Sequence, residues 1–240
     1  MKSLRLFCVR YIESFKLILG KYPDMRLKLD YDTYWDSKRK NDLGKLTDFQ
    51  YNRVKVIENY LENNKSLKDV GCGDGGPLLY LKKKKKFTKI YGLDTSDKVL
   101  ESLSKKGLDT KKIDINDVDK IKKYPKTDYT LVLELLEHLP NSEEVLLELM
   151  KTTNNKLIFS VPNTGYFAHR KRLLLGSFPL QWRTSPNEHL RFWTLRDMKW
   201  WLRQLNLYEK SEIKTYEGLP GLNRIWPGMF AQGLIVIIKK

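Results

Sequence analysis

Cysteine, histidine and acid are all scarce in this chain. Of 240 residues only two are cysteines, Cys8 and Cys72, and only three are histidines. Cys72 stands inside a glycine cluster, where a disulfide would lock the loop uselessly, so a disulfide scaffold is excluded and a reducing compartment is implied. Long apolar runs are missing as well. Arg5, Arg10, Glu13 and Lys16 interrupt the first twenty residues, which excludes both a signal-peptide core and a membrane span there. The expectation is a cytoplasmic protein, touching membrane at most peripherally at its inner face. Acid falls short of base: 45 Lys and Arg face 29 Asp and Glu, a net charge of +16. That excess would attract phosphates, nucleic acid or an anionic membrane, and it equally suits a solvated lysine-rich surface. Core material is not lacking. A hydrophobic content of 41% excludes a disordered chain, and the length fits one domain with a terminal extension.

Residues 1–22 place Leu4, Phe7, Tyr11, Phe15, Ile18 and Leu19 three or four apart among basic residues, the pattern of an amphipathic helix. It either docks on the core or on a second subunit, as in a homodimer, or rests on a membrane surface. Pro23 and Asp24 end it. We divide the chain into residues 1–45, this helix and a lid segment, and 46–240, the main domain. A second helical pattern covers 46–63. Strands are then expected at 67–70, 89–93, 111–113, 129–133 and 156–161, with helices at about 76–86, 96–106 and 142–151 between them. A helix at 195–205 and strands near 208–216 and 233–238 follow a polar, aromatic insertion at about 163–191. The fold class is α/β, a seven-stranded, mostly parallel Rossmann-like sheet with helices on both faces.

The sequence LKDVGCGDGG, residues 67–76, carries the strongest signal, an apolar strand running into Gly71, Gly73, Gly75 and Gly76 and then a helix. Glycines permit positive φ and close backbone approach to a ligand at the end of a first strand. Beginning at Asp69, this Asp-x-Gly-x-Gly-x-Gly resembles motif I of class I methyltransferases more than a dinucleotide fingerprint. A second strand ends in Asp94 about twenty residues later, where a carboxylate can accept both ribose hydroxyls. Asp94 could also cap the helix that begins near Thr95, which is compatible with binding. The resemblance implies S-adenosylmethionine as cofactor, with Cys72 and Thr95 lining its site, Ile113 packed on adenine and Asp114 accepting the adenine amino group. It also implies that the loop after the fourth strand, Glu134 to His138, lies beside the methyl group. Arg53 on the preceding helix could meet the methionine carboxylate or an acceptor phosphate.

Residues 159–197 read FSVPNTGYFAHRKRLLLGSFPLQWRTSPNEHLRFWTLRD. The Pro-Asn pair, the arginine-rich segment and the Asn-x-His-Leu before an aromatic-Thr-x-Arg-Asp helix start resemble the MetW-type methyltransferases, over roughly residues 30–240. Members of that group serve methionine metabolism or accompany surface-glycan assembly. Glu134-x-x-Glu137-His138 departs from MetW and resembles the loop of UbiG-type quinone O-methyltransferases and of small-RNA 3'-end 2'-O-methyltransferases. In the RNA enzymes a further histidine completes a metal site, and Glu188-His189 resembles its setting. By that resemblance Glu134, Glu137, His138 and His189 would hold Mg2+, Mn2+ or Zn2+. Without metal, His138 is the expected general base, with Glu137 and His189 beside it. His169 has no such setting and reads as a surface residue.

Tyr31, Tyr34 and Trp35 could form an aromatic lid. Asn163, Arg170, Arg191 and Trp193 are candidate acceptor contacts, and the cluster Arg170, Lys171, Arg172, Arg183 and Arg191 favours an anionic acceptor. The leading expectation is O-methylation of a small, phosphorylated or surface-glycan-linked acceptor, as in polysaccharide biosynthesis. The alternatives are an RNA 2'-O-methyltransferase and a non-catalytic MetW-like partner of a biosynthetic enzyme.

Overall fold

Strand and helix alternate along the chain because its apolar residues switch between period two and period 3.6. The structure, a computed structural model, describes residues 2–21, 43–181 and 189–240, with side chains from residue 8 onward. Its strands are β1 (Lys65–Val70), β2 (Phe87–Asp94), β3 (Asp109–Lys112), β4 (Thr127–Leu133), β5 (Thr153–Pro162), β6 (Ser211–Tyr216) and β7 (Gly233–Lys239). They form one sheet in the order β3-β2-β1-β4-β5-β7-β6. The first five run parallel, while β7 is antiparallel to both β5 and β6. The expected seven-stranded, mostly parallel α/β sheet is therefore what the chain forms.

The helices are α1 (Lys2–Leu19), α2 (Asp48–Glu58), α3 (Gly76–Lys84), α4 (Asp97–Lys105), α5 (Val118–Ile121), α6 (Ser142–Lys151), α7 (Phe167–Leu174), α8 (Leu195–Gln204), α9 (Leu222–Ile225) and α10 (Pro227–Phe230). Local chemistry sets their starts: Thr47 with Gln50 and Thr194 with Asp197 make capping boxes, and Ser96 caps α4 through the Val99 N–H. The short α9 and α10 fall where the sequence showed no pattern. Residues 208–210 form a 3-10 turn rather than the start of β6, and α2 is shorter than expected at both ends.

Two layers of core flank the sheet. Val70, Leu93, Val132, Phe159 and Val236 face α6 and α8, meeting Leu146, Leu149, Met198 and Trp201. Their strand neighbours Leu131, Ile158, Ile235 and Ile237 face the other way, toward Val54, Ile57, Leu78 and Leu103 of α2, α3 and α4. Burial on both faces explains why β7 reads as an unbroken apolar run. The buried Lys68 of β1 has its donors satisfied, its Nζ donating to the carbonyls of Pro125 and Thr152 and to Thr152 Oγ1 at 3.0, 2.9 and 2.7 Å.

The N-terminal helix turns its apolar stripe away from the core. α1 packs on α7 with its polar side inward, Ser14 Oγ lying 2.6 Å from Tyr166 Oη and Arg10 donating to Glu217 at 2.7 Å. Tyr11, Phe15 and Leu19 of the apolar stripe are exposed. Arg172 donates to the carbonyls of Leu17, Ile18 and Gly20, which closes the end of α1. Among the described residues no helix is long and apolar enough to cross a membrane.

Candidate functional site

The strand order reverses between β1 and β4, which makes the carboxyl ends of those strands a topological switch point, where open α/β sheets bind ligands. Three loops meet there. After β1, Gly71, Gly73 and Gly75 all take positive φ, at 68°, 53° and 70°. A Cβ on Gly75 would stand 2.3 Å from Leu103, so the close fit of loop on helix demands glycine. The Gly71 and Cys72 N–H groups donate to the Leu93 carbonyl at 2.8 and 3.0 Å, tying this loop to the end of β2. Cys72 is buried, and burial pushes its thiol pKa well up, so it acts as a small apolar group.

Asp94 occupies the corner between the loops. Its Oδ2 accepts from the Gly73 N–H at 2.8 Å, and its Oδ1 accepts from Thr95 and Ser96 at 2.8 and 3.0 Å. Ser96, not Asp94, is the N-cap of α4, so this carboxylate serves the loops. Ile113 is buried in the core beside the end of β3, and Asp114 is exposed, accepting from the backbone and side chain of Asn116.

Beneath the β1 loop lies a buried polar set. Asp69, 1% exposed, leaves Oδ1 without a partner. Burial lifts its pKa to about 8 against the pull of Arg53, helped by the nearby Asp94 and Asp74. Arg53 is buried too, with Nη1 3.4 Å from both Glu134 Oε1 and Ser160 Oγ and with Nε unpartnered. Burial opposes its charge, but Tyr216, Glu134 and Asp69 hold its pKa above the ordinary guanidinium value.

Glu134 is a non-glycine residue at φ +53°, an uncommon conformation at the turn that ends β4. Its Oε1 accepts from Ser160 Oγ at 2.8 Å and Tyr216 Oη at 2.9 Å. Ser160 and Tyr216 had no signature in the sequence; each merely ends or nearly ends a strand, which the sheet brings to the switch point.

Glu134 thus turns toward Arg53, while Glu137, His138 and His189 converge on one another. A ligand atom from each of those three lies within 4.8 Å of the others. The two imidazole rings stack edge to face at 4.7 Å, and His138 Nε2 lies 3.9 Å from Glu137 Oε1. Glu137 is 1% exposed, and neither of its carboxylate oxygens accepts a hydrogen bond. Burial, and then the charge of Glu134, hold its pKa well above the usual carboxylate range. The Leu190 and Arg191 N–H groups donate to the Glu137 carbonyl at 2.7 and 3.1 Å, which brings His189 into place.

Asn163 is fully buried and bonds the Ala231 carbonyl at 2.7 Å and the Gly165 N–H at 3.0 Å. Trp193 packs on Trp201 in the core, with ring centroids 5.2 Å apart. Arg170 is exposed and donates to the Gly165 carbonyl at 2.6 Å. Arg191 bonds the Pro140 carbonyl and Glu143. Arg172, read with the acceptor cluster, is buried against α1. His169 corrects the surface reading: it is 7% exposed, and burial, followed by the charge of Arg172, lowers its pKa to about 4. Tyr31, Tyr34, Trp35, Arg183 and Glu188 lie outside the described residues.

Sheet order, glycine loop and acid-ended second strand together define the class I, S-adenosylmethionine-dependent methyltransferase fold. Solved structures agree. The methyltransferase domain of bacterial CtHen1 superposes with a TM-score of 0.58 at 20% identity, covering 80% of this chain and 100% of that one. A chain of the complex between the Haloferax volcanii Trm112 methyltransferase activator and a methyltransferase gives 0.61 at 13%, covering 89% and 99%. A SAM-dependent methyltransferase from Aquifex aeolicus gives 0.53 at 18%, covering 88% and 100%. Within that class the chain belongs to the MetW family, methionine biosynthesis protein MetW, whose profile matches residues 51–238. A search of curated proteins finds no match.

Proposed function

We propose that this chain binds S-adenosylmethionine at the β1/β4 switch point and transfers its methyl group to a hydroxyl oxygen of a small, anionic or glycan-linked acceptor. The observation that carries this reading is the row of buried polar atoms lacking partners at that edge: Asp69 Oδ1, Arg53 Nε and both oxygens of Glu137. An orphaned buried polar group costs about 1–3 kcal/mol, so such a row is expected where a ligand supplies the missing partners. Asp69 and Arg53 offer an acceptor and a donor, which match the ammonium and carboxylate of the methionine end. Asp94 would turn a lone pair to the ribose, and the glycine loop leaves room for the nucleoside.

Where no ion is bound, His138 would take the hydroxyl proton as the new C–O bond forms and the S–C bond breaks, leaving S-adenosylhomocysteine. Glu134, fixed by Ser160 and Tyr216, would shape the floor beneath the sulfonium. The trio of Glu137, His138 and His189 also fits a divalent ion, because a buried carboxylate with free oxygens and two imidazoles is a mixed oxygen and nitrogen donor set. Such an ion would supply Lewis-acid stabilisation of the acceptor alkoxide.

Calorimetric titration with S-adenosylhomocysteine, with and without Mg2+, Mn2+ or Zn2+, tests both parts. One nucleoside should bind per chain, and Asp94→Asn should weaken it by about tenfold to a hundredfold, the value of a charge-assisted hydrogen bond. The ion should bind the native chain and not His189→Ala, which should keep its nucleoside affinity. Absence of heat with the nucleoside sinks the cofactor assignment; nucleoside binding with no ion uptake sinks the metal alone and leaves His138 as base.

A further inference from the structure

α1 docks backwards for an amphipathic helix, with Arg10 and Ser14 turned to the protein and Cys8, Ile12, Phe15 and Leu19 turned out. Those four, spaced 4, 3 and 4 apart, make one continuous outward seam opposite the docked face. A second exposed apolar segment follows Arg172, whose side chain reaches the end of α1. Arg172 caps the end of α1, so the turn that follows in α7, Leu173-Leu174-Leu175, is held beside that end, and all three leucines are exposed, Leu174 at 86%. Seven apolar side chains in solvent are far more than scattered surface residues require, and such a patch marks an interaction surface. The exposed residues around it are basic: Lys16, Lys21, Arg170 and Lys171. The nearby acid, Glu13, is paired with Arg10.

We propose that this surface rests on an anionic lipid bilayer, with the α1 seam and the leucine turn among the headgroups and acyl chains and the lysine rim on lipid phosphates. Leucine, isoleucine and phenylalanine flanked by lysine are the composition of an interfacial helix. A second copy of the chain is a poorer occupant, because a symmetric contact would press the same basic rims together in a molecule of net charge +16. The proposal does not depend on the methyltransferase reading.

Cosedimentation of the full chain with sucrose-loaded vesicles tests it, using phosphatidylcholine alone and phosphatidylcholine mixed with phosphatidylglycerol. Partitioning onto the anionic vesicles should be strong at low salt and fall as salt screens the rim. Ile12→Glu combined with Leu174→Glu should reduce it by about tenfold or more, with the thermal melt unchanged since both side chains face solvent. Lys16→Glu with Lys171→Glu should also weaken it. The idea is overturned by no partitioning, by equal partitioning onto pure phosphatidylcholine, by insensitivity to the variants, or by self-association that Ile12→Glu abolishes.

Discussion

At the scale of single residues, the acids behave differently according to what the fold packs around them. Asp94 receives three backbone N–H groups, whereas Asp69 and Glu137 are buried with oxygens unmet. Their places at or just beyond strand ends were readable, but which of them lay unsatisfied was not, since partners come from other elements. His169 makes the same point. Its neighbours in sequence are Arg170 and Lys171, which reads as surface, yet it lies buried on α7 beside Tyr166. With an unfolded value of 6.5 and a folded value of about 4, His169 takes up its proton first in the unfolded chain. Its contribution is therefore whole above pH 6.5 and drains away as pH falls toward 4, with a slope of up to about 1.4 kcal/mol per pH unit. Urea unfolding at a series of pH values should show this slope in the native chain and a shallower one in His169→Gln.

At the scale of elements, the glycine loop and its flanking strands were legible because positive φ and close packing restrict the residue to glycine. The pairing of β6 with β7 carries a constraint that sequence did not announce. A Cβ on Gly233 would come within 2.2 Å of the Tyr216 ring, whose hydroxyl holds Glu134. Gly233→Ala should thus push Tyr216 away from Glu134 and destabilise the chain by about 1–3 kcal/mol. A lower urea midpoint together with weaker S-adenosylhomocysteine binding is the expected result; a lower midpoint alone would separate packing from the site. α1 was recognised as a helix from its period. Its orientation was not, because the same stripe can face a core, a partner or a bilayer.

At the scale of the whole molecule, polar ties join α1 to the rest of the chain. Arg10 bonds Glu217, which also accepts from Asn52 of α2 and directly follows Tyr216, so the helix touches the frame of the candidate site. Arg172 holds three carbonyls at the end of α1 and that of Phe178. Replacing it with Met removes charge-assisted hydrogen bonds worth about 1.5–3 kcal/mol. Hydrogen exchange at α1 amides should accelerate by roughly tenfold or more, while amides of β1, β4 and β5 keep their protection. Equal acceleration throughout would mean that α1 belongs to the global unfolding unit.

Periodicity, glycine spacing and acid-ended strands, all local properties of the chain, determined the sheet, its class and the loop expected to cradle a nucleoside. Contacts between residues far apart in sequence decided the rest: that Glu134 joins Arg53 and Tyr216 while Glu137 meets His138 and His189, that Arg172 serves α1 and not an acceptor, and that an apolar seam faces out. Those outcomes depend on which surfaces the strand order brings together, and burial, which sets partner and protonation alike, exists only once they have met.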